Sequence, residues 1–371
     1  MARLTRAEQQ ERTRAAVLAA ARQEFTERGY AEAKVDRIAE RAELTRGAVY
    51  SNFPSKRALY LAVLVDLVER SAGGREPASP STISAGEALN AFARVWLERL
   101  PLTQQPAVAG SLRLRTLTGV LDDRPTRAAL AQVVRLEALL LGLALESRPP
   151  RAAAPRRRVR LAELVLTLLH GAGAFAETAP GFGDPFDLAR ACERLADVDL
   201  DDTWDPPHLA YVAPARRTDQ AWTAPTDLAD QLTGGPVDLA ADGVIVLLGA
   251  HRLGAAEEAV RAAGPGEQVT VVAVTGDPAE VGRLVRLRIG DLAGCLRRVF
   301  AADAWPALRL VLDERGVVAA ALGVPDPEDD TEVAVRVRGG RIVARAEGRG
   351  AGHAAGIAAV PDARQLRGAQ A

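Results

Sequence analysis

Residues 44–60 read LTRGAVYSNFPSKRALY. Helical texture starts at Thr45, lasts to about Asn52, is cut by Pro54 and restarts at Ser55-Lys56-Arg57. A proline ends the helix because its ring disfavours the helical conformation of the residue before it. Thr45 is placed as the N-cap of a helix over 46–52, and Ser55 as the cap of the next. Leu44, Val49 and Phe53 would anchor the short helix on its neighbours. Arg46, Gly47, Ala48, Tyr50, Ser51 and Asn52 are then left facing outward.

Upstream, Val17, Leu18, Ala21 and Phe25 form one apolar stripe, and Gly29 supplies a helix stop. A second stripe, Val35, Ile38, Ala39 and Ala42, precedes a turn at Glu43-Leu44. Two short helices joined by a tight turn make a helix-turn-helix. The outward face suits DNA. Gly47 and Ala48 let the backbone approach closely, Arg46 can reach phosphate or guanine, and Asn52 can pair with adenine. The amides that follow Ser55, with Lys56, can hold a phosphate. Residues 1–70 carry 13 Lys/Arg against 10 Asp/Glu, a net of +3, while the whole chain carries −1. Any polyanion surface is therefore local. A solvated helical hairpin with incidental basic residues would show the same bare pattern.

The run GYAEAKVDRIAERAELTRGAVYSNFPSKRALYLAVL (29–64) resembles the DNA-binding domain of TetR-family transcriptional regulators, with a G-x-x-Y-x-x-F-x-x-K signature from Gly47 to Lys56. The resemblance covers 8–70 and continues more loosely to about 199. It implies a three-helix DNA-binding domain, an all-α ligand-binding and dimerisation domain, and a homodimer on a palindromic double-stranded operator. Carried over by motif, Arg46, Gly47, Tyr50, Asn52 and Lys56 become DNA contacts, with Tyr50 and Lys56 mainly on phosphate. Lys34, Thr45, Ala48, Ser51 and Ser55 complete the expected face. Three departures stand out. Ala33-Lys34 replaces the usual Thr or Ser pair, Glu43 stands where the turn often has Gly, and Asn52 where relatives often have His.

The implied organisation is a DNA-binding domain over 8–70, an all-α domain over 71–200, a linker over 201–240, an α/β domain over 241–348 and a flexible tail over 349–371. In the middle domain Leu136, Leu139, Leu140 and Leu143, with Leu161, Leu164, Val165 and Leu168, form broad apolar stripes. The resemblance puts the dimer interface on 127–146 and 160–176; intrachain core is the alternative. Phe92, Trp96 and Leu112 are candidate linings of an effector pocket or plain core. Arg113 or Arg115 could meet an acidic effector.

Beyond 241 the texture changes. VIVLLG (244–249) and QVTVVAVTG (268–276) flank the helix-like AAEEAVRAAG, and EVAVRVRGGRIVARAEG (332–348) reads as a hairpin turning at Gly339-Gly340. The order loosely resembles a thioredoxin-like domain of the redoxin type. The expected Cys motif after the first strand is replaced by GAHRLGAAEE, and the loop before the hairpin reads PDPEDDTE. Without a thiol there is no thiolate chemistry. Cys192 and Cys295 are distant from each other, so neither a redox pair nor a metal spacing arises. His251 and His353 stand alone, with surface roles expected. No enzyme activity, cofactor or metal is expected. The charged N-terminus and the short apolar runs indicate no signal peptide and no membrane span, hence a cytoplasmic protein. Two other readings compete: a regulator fused to an active redoxin, and a scaffold that keeps the fold without binding DNA.

Overall fold

The computed structural model describes residues 5–72, 84–98, 117, 119–147, 157–179 and 181–358. Its first half is helical: α1 (Arg6–Glu32), α2 (Val35–Arg41), α3 (Arg46–Asn52), α4 (Lys56–Ala72), α5 (Ala85–Leu97), α6 (Arg124–Glu146), α7 (Val159–Thr178) and α8 (Pro185–Leu195). The helix starts are written locally. Thr5 with Glu8 and Ser84 with Glu87 form capping boxes, and Asp123 and Asp184 cap α6 and α8 ahead of a proline. Gly29, at φ 70°, breaks the end of α1. Val17, Ala21, Phe25, Ile38, Val49 and Phe53 are buried together, as their spacing predicts.

The second half is built on one mixed sheet. Its strands are β1 (Arg216–Ala221), β2 (Gly243–Gly249), β3 (Gln268–Val274), β4 (Leu308–Leu312), β5 (Glu332–Arg338) and β6 (Arg341–Glu347), in the order β1-β6-β5-β2-β3-β4. Strands β2, β3 and β4 run parallel, with α9 (Ala256–Ala262) and α10 (Arg283–Leu296) as crossovers. Strands β5 and β6 form the expected hairpin, with Gly339 and Gly340 at φ 52° and 71° in the turn. In β2, Val244, Val246 and Leu248 face α9 and α10. Ile245 and Leu247 face the opposite side, which is covered by α11 (Val317–Ala321), Trp222 and Leu239. Burial on both faces explains the unbroken apolar run.

Two boundaries differ from the sequence reading. The expected linker contributes β1, paired with β6. It then ties down further: Trp222 donates from Nε1 to the Leu239 carbonyl at 2.8 Å, and buried Asp230 accepts from the amides of Leu232 and Leu310. The expected tail forms α12 (Ala351–Ile357), packed on α9. A Cβ on Gly352 would stand 3.0 Å from that of Ala259, and one on Gly356 would stand 2.6 Å from that of Ala262. Ala/Gly-rich sequence reads as weakly structured, yet small residues let two helix backbones close on each other. Arg336 reaches across to the carbonyls of Ala355 and Gly356. The rest of the tail, 359–371, lies outside the described residues.

The middle helices also differ in role. Leu136, Leu139 and Leu140 of α6 are buried within the chain, in a core shared with the α/β half. Trp305 donates from Nε1 to the Leu140 carbonyl at 2.8 Å, and Gln132 Oε1 accepts from the Gly254 amide at 3.1 Å. Helix α6 thus packs its leucines within the chain, on α7 and on the α/β half. Among the described residues α6 and α7 are the helices long and apolar enough to cross a membrane by length and composition; in α6 that apolarity serves the core. Helix α7 buries Leu161 and Val165 but leaves Leu164 exposed.

Candidate nucleic-acid interface

The sequence of α3 places its functional side chains by cap and anchor. Thr45 Oγ1 accepts from the Ala48 amide at 3.2 Å, fixing the first turn. Val49 and Phe53 are buried against α1 and α4, which turns the opposite face of α3 to solvent. Glu43 takes φ 57° in the turn before it, the strain expected where a glycine is usual. Gly47 is exposed, and a Cβ built on it meets nothing nearer than Thr45 Oγ1 at 3.8 Å. That side of the first turn is open to a close neighbour.

The polar groups of this face are held by weak internal partners. Arg46 pairs with Asp36 at 3.3 Å and its guanidinium lies 5.4 Å from the Tyr50 ring centroid. Tyr50 and then Asp36 raise the Arg46 pKa, so the group stays cationic. Asn52 donates from Nδ2 to the Ala48 carbonyl at 2.9 Å, and Ser51 Oγ donates to the same oxygen at 2.9 Å. That bond uses one of the two Nδ2 hydrogens of Asn52 and leaves the other and Oδ1 for an outside partner. Lys56 Nζ donates to the Ala31 carbonyl at 3.0 Å, 4.8 Å from the Tyr30 ring centroid, and burial lowers its pKa. Lys34 is exposed at the N-cap of α2 and offers no side-chain cap. Its amide instead donates to buried Glu24 at 3.4 Å.

Thus Thr45, Arg46, Gly47, Ala48, Tyr50, Ser51 and Asn52 fall on one short helix, with Lys34 at the start of α2 and Lys56 at the start of α4. Ser55 caps α4, accepting from the Ala58 amide at 2.9 Å, and its hydroxyl also donates to Glu280 of the α/β half. Arg57 joins the same carboxylate and Asp123. Burial pulls the Arg57 pKa down, but its two carboxylate partners hold it raised overall. No local pattern marks Glu280, because its partners lie far away along the chain.

The other expected sites are differently placed. Phe92 and Trp96 are fully buried, and the Trp96 ring stands edge-on to His170 with centroids 5.2 Å apart. Both are core side chains. Leu112, Arg113 and Arg115 lie outside the described residues. Cys192 and Cys295 are buried on α8 and α10, and burial pushes the Cys192 thiol up to about 12. His251 and His353 have more than surface roles. His251 Nε2 lies 3.1 Å from the Pro125 carbonyl, and His353 is half-buried with its pKa lowered by burial and by His208. Among the described residues no group of three or more His, Cys, Asp or Glu could hold a metal ion.

A capped helix-turn-helix with one face of its second helix open to solvent is the local geometry of a DNA-binding module. Residues 17–63 match the family described as bacterial regulatory proteins, tetR family. The HTH-type transcriptional activator FasR of Mycolicibacterium smegmatis is 35% identical over 85 residues, covering 23% of this chain and 39% of that relative's length. A solved TetR-family transcriptional regulator from Mesorhizobium loti is similar at 16% identity and a TM-score of 0.26, over 52% of this chain and 96% of that one. The N-terminal helices are a TetR-family helix-turn-helix domain, joined to further helices and to an α/β region.

Proposed function

We propose that this chain is a dimeric, ligand-responsive transcriptional repressor of the cytoplasm that reads a palindromic operator through α3. The observation that carries this reading is the exposed face of α3, where Arg46, Tyr50 and Asn52 surround the unobstructed backbone at Gly47. An apolar face on α7, α8 and the turn between them supports a second copy as partner. Phe175, Phe182 and Phe186 are 53%, 66% and 63% exposed, and Leu164 is 38% exposed. A small-molecule effector would act by shifting the spacing of the two recognition helices.

Lys56→Ala should weaken binding to all duplexes and lower the slope of log K against log salt by about 1. Asn52→Ala should leave that slope and cost about 1–3 kcal/mol of discrimination at one base pair. Both are read by selecting bound fragments from genomic DNA and titrating the enriched site against salt. Binding that neither substitution changes would remove α3 and α4 from the interface.

The α/β domain reads as a thioredoxin-like module without thiol chemistry. Its strand–helix–strand–helix order closing on a hairpin supports that fold. The segment after β2, where a redoxin places its thiols, has Leu253 and Ala256 buried and Gly254 bonded to α6. A thiol-dependent peroxidase assay should give no turnover. Turnover that disappears in Cys295→Ser would overturn the reading.

A further inference from the structure

Helix α4 is held along its length by the α/β half. Leu284 and Leu287 of α10 are buried in one cluster with Leu61, Leu64 and Val68 of α4. Arg283 donates from Nη1 to the Ala58 carbonyl at 2.9 Å, with its guanidinium 5.3 Å from the Phe53 ring centroid. Arg286 bridges Glu69 at 2.6 Å and Glu314 at 2.8 Å. At the start of α4, Glu280 stands in a turn of π-helix over Pro278–Gly282. Its carboxylate accepts from Ser55 and pairs with Arg57, whose guanidinium also pairs with Asp123. With its side chain 14% exposed, Glu280 is poorly screened by solvent.

The carboxylate therefore occupies the two side chains that flank Lys56, on the turn of α4 that the DNA reading gives to phosphate. A carboxylate and a phosphate compete for the same donors and repel each other. We propose that the C-terminal α/β domain is an autoinhibitory clamp on the DNA-binding helices, with Glu280 holding the donors of Ser55 and Arg57 against a DNA phosphate. The proposal rests on the DNA-binding reading above. Leu284 and Leu287 give the same domain a grip on the packing of α4, so a displacement of α10 would withdraw Glu280 and release the helix together. A signal received by the α/β domain reaches α3 and α4 directly.

The test is equilibrium binding of the full chain to a labelled mixed-sequence duplex over a salt series. Non-specific binding reports phosphate contacts without needing the operator. Glu280→Gln should bind several-fold tighter at low salt, with a slope steeper by about 0.9 as Arg57 takes up one more phosphate. In an Arg57→Ala background the same change should gain much less and leave the slope unchanged, a coupling that a double-mutant cycle isolates; an equal gain and slope change there would remove Arg57 from the clamp. Equal or weaker binding by Glu280→Gln, with an unchanged slope and wild-type thermal unfolding, overturns the clamp. If Glu280→Gln does not fold, Glu280→Asp shortens the reach to Ser55 while keeping the charge. Tighter binding then supports the clamp and unchanged binding refutes it. Wild-type protein that binds no duplex at low salt would sink the DNA-binding reading, and the clamp with it.

Discussion

Glu137→Gln should lower the unfolding free energy by about 3–5 kcal/mol, the loss typical of a buried ion pair deprived of one partner. Glu137 on α6 is wholly buried and takes a bidentate bond from Arg288 of α10, at 2.9 and 2.7 Å. His170 of α7 completes the group, with Nε2 3.1 Å from the Arg288 guanidinium. Removing the charge leaves a buried guanidinium without its paired carboxylate, with His170 beside it and the more indirect field of Asp291. Glu137→Leu with Arg288→Leu should recover much of the loss, because the cost lies in the unpaired charge. Urea denaturation of the single and double variants separates the two; a mild Glu137→Gln would mean that water reaches the pair. Burial alone would raise the Glu137 pKa, but Arg288 and His170 outweigh it, and the folded value lies below the ordinary 4.5. A lowered folded pKa stabilises above the unfolded value and is lost as pH falls through the folded one. Wild-type protein should therefore lose this contribution progressively below about pH 4.5, and Glu137→Gln should show a shallower acid limb.

Phe182→Glu combined with Phe186→Glu should convert the proposed dimer to a folded monomer. Each exposed ring is worth about 1.5–3 kcal/mol if fully buried, and a two-fold interface buries each residue twice. With the two rings 66% and 63% exposed, even the lower figure gives about 4 kcal/mol, or roughly three decades in Kd. The rings of Phe175 and Phe182 already meet, with centroids 5.3 Å apart, and Arg94 lies over Phe186 at 5.7 Å. The rings of α7 and of the turn between it and α8 thus already stand together. Sedimentation velocity would measure the change, with circular dichroism as the folding control. A double variant that sediments like a dimeric wild type would move the interface elsewhere, and a monomeric wild type would overturn the dimer.

The DNA-binding helices were largely legible because their signals are local. Gly29, Thr45 and Pro54 act within one turn of themselves, and the stripe from Val17 to Phe25 needs only the helical period. The same holds for β2, β3 and the Gly339-Gly340 hairpin, whose β-branched runs and turn residues lie together in the chain. Helix α12 was missed for the opposite reason. GHAAG has little hydrophobic content, and its stability comes from the close approach of α9 and from Arg336. Strand β1 is polar and exposed along most of its length, so no apolar alternation announced it.

The sequence by itself set the cap, anchor and exposed face of α3 by spacing within α2 to α4, and the resemblance carried by residues 29–64 supplied the partner class. Tertiary structure decided what α6 and Glu280 do. Apolar stripes say that a helix is buried but not against what, and the leucines of α6 enter a core shared by the helical half and the α/β half. An ion pair forms between residues that the fold brings together, so the Glu280–Arg57 contact leaves no trace in the spacing of either segment.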